Sequence, residues 1–295
     1  MVSMANVLSN ADRTAVVAAL VEGNSIRATA RMTGVARNTV TKLLVDLAEV
    51  CAEYSRTKLV DLPCKRLQID EIWEFCYAKE KNVPEDKKGV FGYGDVWTWV
   101  AIDADTKLVP SWLVGPRDGG SATELMQDLA SRLANRVQIT TDGLKAYISA
   151  VEDAFGGDVD YATLQKIYGT TTEGGERRYS PAECLGAEKR CIVGNPNPHH
   201  IATSYVERQN LTMRMSMRRF TRLTNGHSKK VENHAAAVAV HFAYYNFCRV
   251  HMSLGKDANG KGRTPAMAAG VESRKLDIAD LVAMLPDSEN KPRSK

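Results

Sequence analysis

Three acidic side chains in this chain have the type and placement to do phosphoryl chemistry. In the stretch Lys65-Arg66-Leu67-Gln68-Ile69-Asp70-Glu71-Ile72-Trp73-Glu74-Phe75, apolar Leu67, Ile69 and Phe75 stand among polar residues, roughly as in a half-buried strand. That phase puts Asp70 and Ile72 together on the other face. A carboxylate in mid-strand is costly to bury unless a charge or a metal compensates it, and the plainer reading is an edge-strand Asp in water. Residues 137–143 are a short β-rich run closing in Asp142-Gly143 ahead of a helical stretch over 144–154. An Asp there projects into the crevice at the C-terminal strand ends of an α/β sheet, or it simply caps the next helix. Glu207 lies near the start of a long basic helix, where an acid also suits the helix dipole. Singly, each acid has an ordinary explanation. As a set they are an Asp on a first strand, an Asp after a fourth and a Glu on a late helix. Three hard oxygen ligands of this kind suit Mg²⁺, which binds through a few carboxylates together with water and phosphate oxygens.

The elements that must position these acids follow an α/β pattern. Residues 96–102 are aromatic and β-branched, Asp105-Thr106-Lys107 makes a turn, and 108–114 returns as a third strand. Asp103 and Asp105 are read as turn residues that bond their own backbone. Ser121 with Glu124 matches a capping box opening a helix to about residue 135, with Leu125, Leu129 and Leu133 as its apolar stripe. The fourth strand, a helix to Phe155 and a fifth strand over 160–168 complete a β-β-β-α-β-α-β-α order. Residues 78–89 are charge-rich around Pro84 and read as an exposed loop. From 169 to 200 periodicity is lost, and this segment is read as a DNA-contacting insertion. His199-His200 within it reads as a polar loop, with a metal site as the lesser alternative.

The helix expected over 204–221 carries Arg208, Arg214, Arg218 and Arg219, followed by Arg222. Glu207, Asn210, Arg214 and Arg218 recur at steps of three or four, hence near one face, a basic stripe suited to a DNA backbone. A further helix spans 229–251, and a short one over 278–285 precedes a polar tail. Ahead of all this, residues 9–50 read as three helices. Asn10 or Asp12 caps the first, Ser25 caps the second over 26–32, and the third runs from 36 to about 50. Ala30, Gly34, Val35 and Val40 fall where a helix-turn-helix needs a small residue, a turn glycine and two buried apolars. Arg37, Asn38, Thr41 and Lys42 are left on the exposed face of its recognition helix, residue types that reach phosphates and base edges. A generic three-helix bundle would show the same packing pattern.

Composition bounds the rest. The 295 residues are 44% hydrophobic, enough for one large or two modest domains. A net charge of +4 announces no nucleic-acid partner, so that inference rests on clustered Lys and Arg. No apolar run reaches membrane-span length, and no signal peptide opens the chain. Cys51, Cys64, Cys76, Cys184, Cys191 and Cys248 lack paired short spacing, so reduced thiols and a cytoplasmic location are expected.

The words Asp70-Glu71-Ile72-Trp73-Glu74-Phe75, Trp97-Thr98-Trp99, Thr141-Asp142-Gly143 and Glu207-Arg208-Gln209-Asn210-Leu211-Thr212-Met213-Arg214 resemble the DDE transposases of the bacterial insertion-sequence-one type. That family belongs to the ribonuclease-H-like integrase superfamily. The resemblance spans roughly residues 64–255, and the run from Glu207 to Thr212 is its most specific part. It implies an α/β fold with a mixed five-stranded sheet flanked by helices, preceded by a small all-α helix-turn-helix domain. The boundaries expected are 1–52 for that domain, 53–64 for a linker, 65–270 for the catalytic domain with its insertion at about 169–200, and 271–295 for a C-terminal helix and tail. The resemblance further implies that Asp70, Asp142 and Glu207 are catalytic and hold two Mg²⁺ (or Mn²⁺) ions. Arg208, Arg214 and Arg218 would contact double-stranded DNA, both element ends and target, with the chain acting as a homodimer or higher oligomer in the nucleoid. Two departures stand out: the N-terminal cysteine cluster of many such transposases is absent, and the gap before Glu207 is widened. A helix-turn-helix transcription regulator without catalysis, or a ribonuclease-H-like nuclease, are the rival readings.

Overall fold

The computed structural model describes residues 8–169, 184–221 and 224–286. Three helices come first: α1 (Asn10–Val21), α2 (Ile26–Thr33) and α3 (Arg37–Lys58). Ser9, rather than Asn10 or Asp12, caps α1 by accepting from the Asp12 N–H, and Ser25 caps α2 by accepting from Ala28. Gly34 closes α2 at φ 71°, a left-handed conformation that a residue with a Cβ enters only at a cost. Helix α3 is longer than its first apolar run suggests. It takes in residues 53–58 of the expected linker because its later turns are packed: Cys51 is buried, and Tyr54 meets Phe247 edge-on at 5.0 Å while donating to Glu272 at 2.5 Å.

The sheet comprises β1 (Arg66–Cys76), β2 (Gly94–Asp103), β3 (Ser111–Gly115), β4 (Val137–Thr141), β5 (Val159–Tyr168) and β6 (Cys184–Val193), in the order β3-β2-β1-β4-β5-β6. β1, β2 and β3 are antiparallel neighbours, while β4 runs parallel to β1 and β5 parallel to β4. This mixed sheet is consistent with the ribonuclease-H-like arrangement. The expectation of five strands is one short. β6 pairs antiparallel with β5 from Tyr161 to Tyr168, so part of the segment read as an irregular insertion is regular structure. Its signal was weak because no β6 side chain is buried, leaving no apolar alternation to read. Residues 170–183, Arg222 and the tail from 287 lie outside the described residues.

Helices α4 (Gly119–Ser131) and α5 (Ala146–Phe155) cover one face of the sheet, where Ile69, Trp99 and Ile139 join Leu125, Leu129 and Tyr147 in the main core. Helix α4 begins two residues before the expected capping box because Asp118 is the cap, its Oδ1 accepting from the Ser121 N–H at 2.9 Å. On the other face α6 (Ser204–Ser216) and α7 (Val231–Ala243) lay Val206, Met213 and Phe242 against Ile72, Val100 and Ile102. Helix α7 also packs along α3, joining the N-terminal helices to the sheet. It passes into a π-helical turn, Tyr244–Cys248, before the short helices α8 (Pro265–Ala268) and α9 (Ile278–Ala283). The loop expected over 78–89 contains two 3₁₀ turns and anchors itself through buried Val83. Among the described residues no helix is long and apolar enough to cross a membrane.

Candidate active site

Parallel pairing sets the first contact. Ile69 of β1 lies opposite Thr141 of β4, so the next residue of each chain segment, Asp70 and Asp142, emerges beside the other. Ligand oxygens of Asp70, Glu71 and Asp142 all lie within 4.8 Å of one another. Strand alternation sends Glu71 to the opposite face from Asp70, where both its oxygens are occupied. Arg117 Nε donates to Oε1 at 2.7 Å, with Nη2 at 2.6 Å, and the Tyr147 hydroxyl donates to Oε2 at 2.8 Å.

Helix α6 is pinned to β1 at two points. The side-chain carbonyl of buried Gln68 accepts from the Tyr205 and Val206 N–H groups at 2.7 and 3.2 Å, satisfying donors that a helix N-terminus leaves free. One turn further, Asn210 Nδ2 donates to Asp70 Oδ2 at 2.9 Å. Glu207 sits three residues before Asn210, about 4.5 Å back along the helix axis. Its carboxylate is held by Lys166 Nζ, at 2.6 and 2.5 Å to its two oxygens, and by the Thr203 hydroxyl at 2.6 Å. Glu207 therefore stands near the cluster while bonded to a lysine of β5, outside the set formed by Asp70, Glu71 and Asp142.

The acids load one another. Burial, then the charges of Glu71 and Asp142, and last that of Glu207, push the Asp70 carboxyl up to about 7. Burial and Asp142 also raise Glu71, against the bonds from Arg117 and Tyr147. Hard carboxylate oxygens crowded so closely, and destabilised by their shared charge, fit a divalent cation. A pH dependence follows. Asp70 has a folded pKa above its unfolded value of about 3.9, so its linked stability is complete below that value and is lost as pH rises through about 7. The melting temperature of the metal-free chain should fall between about pH 4 and pH 7, and Asp70→Asn should flatten that decline. Equal slopes in parent and variant would refute the assignment.

The remaining acids and histidines have local duties. Asp103 Oδ2 accepts from the Thr106 N–H at 3.1 Å, and Asp105 pairs with Arg66. His199 and His200 belong to an exposed 3₁₀ turn. Of the cationic and polar residues expected on DNA, Arg37, Asn38 and Thr41 line a cleft of about 850 Å³, which they share with Arg218. Lys42 is not among the residues lining that cleft and pairs with Asp46. Arg208 is exposed; Arg214 is half-buried and donates to the Phe220 carbonyl at 3.3 Å. Arg218 is not on the stripe begun by Glu207, because α6 stops at Ser216 and Met217 is extended (φ −128°, ψ 114°). Glu71, Arg117, Tyr147, Gln68 and Lys166 were not among the residues expected at the site. Only Glu71 carried a signal, its adjacency to Asp70.

No family model and no curated protein matches the sequence. Among solved structures, a chain of the Mos1 strand transfer complex is similar at 14% identity over 50% of this chain and 54% of that one, with a TM-score of 0.21. This chain thus spans about half the length of that neighbour. A chain of the piggyBac transposase synaptic complex with hairpin DNA is similar at 12% identity, covering 99% of this chain and 80% of its own, with a TM-score of 0.38. Likeness at this level fixes neither fold nor function.

Proposed function

We propose that this chain is a DNA transposase of the DDE kind, related to the insertion-sequence-one type, that binds element ends and cleaves and joins DNA strands. The observation carrying this reading is the β1–β4 register that sets Asp70 beside Asp142, with α6 pinned so that Glu207 lies one turn from the Asn210–Asp70 bond. Bound at these carboxylates, a pair of Mg²⁺ or Mn²⁺ ions would supply activation of the attacking hydroxyl and charge relief at the leaving oxygen. Asp70 and Asp142 would hold them, with Asn210 fixing the Asp70 carboxylate and Glu71, neutralised by Arg117, bracing the strand end. Glu207, once released from Lys166, would complete the set of carboxylates that hold them. Arg208, Arg214 and Arg218 contact phosphates, and Arg37, Asn38, Thr41 and Lys42 of the N-terminal helices meet the element ends, with the chain assembled as an oligomer on DNA.

The test incubates the chain with duplexes carrying the element's own termini, with Mg²⁺ and with chelator. This reading expects 3′-hydroxyl ends and joined products in Mg²⁺ alone. A regulator would bind the termini and cut nothing, and a nuclease would cut without joining; either result overturns the proposal.

The Lys166–Glu207 pair yields a further expectation. Both side chains are about one-third exposed, at 32% and 40%, so the pair is partly screened. Lys166→Met removes a cation competing for the same carboxylate, and Mn²⁺ affinity by calorimetry should rise about five- to tenfold, roughly 1 kcal/mol. A weaker affinity would mean that Lys166 supports the metal site instead of competing with it.

A further inference from the structure

Three depressions run together along one side of the molecule. The first lies between α2 and α3 and is lined by Arg27, Arg31, Arg37 and Asn38. It shares Arg27, Arg37 and Asn38 with the central 850 Å³ cleft, whose far wall is formed by residues 217–219 and 225–229, Arg218 and Lys229 among them. That cleft in turn shares Arg219, Asn225, His227 and Lys229 with a third depression of about 640 Å³ at the end of β1. Residues 225–229 are strapped there by the Tyr77 N–H, which donates to the Ser228 carbonyl at 2.8 Å, and by half-buried Arg219, which donates to Ser228 Oγ at 3.0 Å and to the Asn233 carbonyl at 2.6 Å. The result is one continuous groove.

Its lining changes character along its length. The α2–α3 end and the centre present cations, and among the described lining residues the one acid is Glu74, which is buried with Oε1 accepting from the Phe75 N–H at 3.0 Å. The β1 end presents rings: half-buried Trp73 and Phe75 lie 5.9 Å apart between centroids, and Phe75 lies 4.7 Å from His227. The central floor holds an unmet polar group. His241 of α7 is 2% exposed and lines the cleft, and neither of its ring nitrogens has a hydrogen-bond partner. Burial and neighbouring Arg249 lower its pKa to about 3, so the ring is neutral and offers one donor and one acceptor. A buried side chain with both atoms orphaned calls for a ligand with a neutral polar edge.

Cations, half-buried rings lining the groove and an unsatisfied neutral donor–acceptor pair together match an unpaired polynucleotide. Phosphates take the cations, base faces take the rings, and a base edge meets the imidazole. A B-form duplex keeps its base faces stacked inside and offers nothing to aromatic walls. We propose that this groove binds a single DNA strand, with its phosphates on Arg37, Arg218 and Lys229 and its bases against Trp73, Phe75 and His241. The site is independent of the acids at Asp70 and Asp142, and binding to it needs no metal. In the proposed reaction it would hold a strand separated from its complement.

The test uses the full chain in chelator and a labelled oligothymidine of about 12 nucleotides, followed by fluorescence anisotropy against a duplex of the same length. The unpaired strand should bind at least about tenfold tighter than the duplex. Trp73→Leu should lower affinity for the strand about five- to tenfold with little change in salt dependence, the effect of losing one stacking face. Lys229→Gln, a change at an exposed side chain, should instead lower the salt slope by about 0.7, the loss of one phosphate contact. Should Trp73→Leu fail to fold, Lys229→Gln and the strand-to-duplex ratio still decide. Duplex affinity equal to that for the strand, or a salt slope unchanged in Lys229→Gln, would overturn the proposal. Neither result would bear on metal-dependent cleavage, because the binding is read in chelator and neither Trp73 nor Lys229 is among the residues proposed for that reaction.

Discussion

Asp142→Asn is expected to lower metal-dependent strand cleavage roughly a thousandfold, the scale for removing a group on which transition-state charge depends, while leaving DNA binding in chelator within about twofold of the parent. The substitution keeps the side chain's size and its turn-forming bond, in which Asp142 Oδ1 accepts from the Leu144 N–H at 2.9 Å. An amide oxygen replaces that acceptor, so the strand end stays folded. What is lost is a charge within 4.8 Å of the oxygens of Asp70 and Glu71. That loss also relieves the like-charge load, because Asp142 is among the groups raising Asp70. The variant should therefore titrate Asp70 at a lower pH and be no less stable than the parent at neutral pH. Cleavage that survives near the parent rate would remove Asp142 from the site, and a variant that unfolds would assign it a structural role.

The second large effect concerns stability. Arg117→Ala strips one partner from Glu71, whose side chain is 2% exposed. Breaking a buried pair leaves an uncompensated charge, worth about 3–5 kcal/mol in buried cases. Arg117 is itself 40% exposed, so solvent screening reduces the expected cost to about 2–3 kcal/mol. Adding Glu71→Gln should recover about half or more of that, since a neutral amide needs no cation and the Tyr147 hydroxyl can still donate to its oxygen. The loss should also shrink toward acid pH. Without Arg117 the already raised Glu71 pKa climbs further, and a group with a raised folded pKa regains its linked stability as pH falls. Urea denaturation of the parent, both single variants and the double variant forms the cycle, and additive costs in that cycle would show that the two residues do not act as a pair.

The legible part of the site was the part encoded locally. Alternation around Asp70 placed it with Ile72 on the face away from Ile69, an Asp-Gly at a strand end marked Asp142 as a crevice residue or a helix cap, and helical spacing put Glu207 and Asn210 on one side of their helix. Partners supplied from distant segments were not legible. Arg117 reaches Glu71 across 46 positions, Tyr147 reaches it across 76, and Lys166 reaches Glu207 across 41, and no local pattern records such pairings. The fold misreadings have the same origin. β6 lacks apolar alternation because none of its side chains is buried, and α3 outruns its first stripe because tertiary contacts at Tyr54 and Cys51 hold its last turns. Arg218 fits a helical stripe by counting, yet the helix ends before it and delivers it to the groove.

The position of Glu207 is the point on which the three-acid account turns, since its carboxylate is bonded to Lys166 rather than to the Asp70 cluster. Crystals of the chain soaked in Mn²⁺ and measured at the manganese absorption edge would locate bound ions directly. The account predicts anomalous peaks about 2.1–2.2 Å from carboxylate oxygens of both Asp70 and Asp142, with the Glu207 side chain rotated off Lys166 to reach a peak. Peaks held by Asp70, Glu71 and Asp142 with the Lys166–Glu207 pair intact, or no peak at these residues, would contradict it.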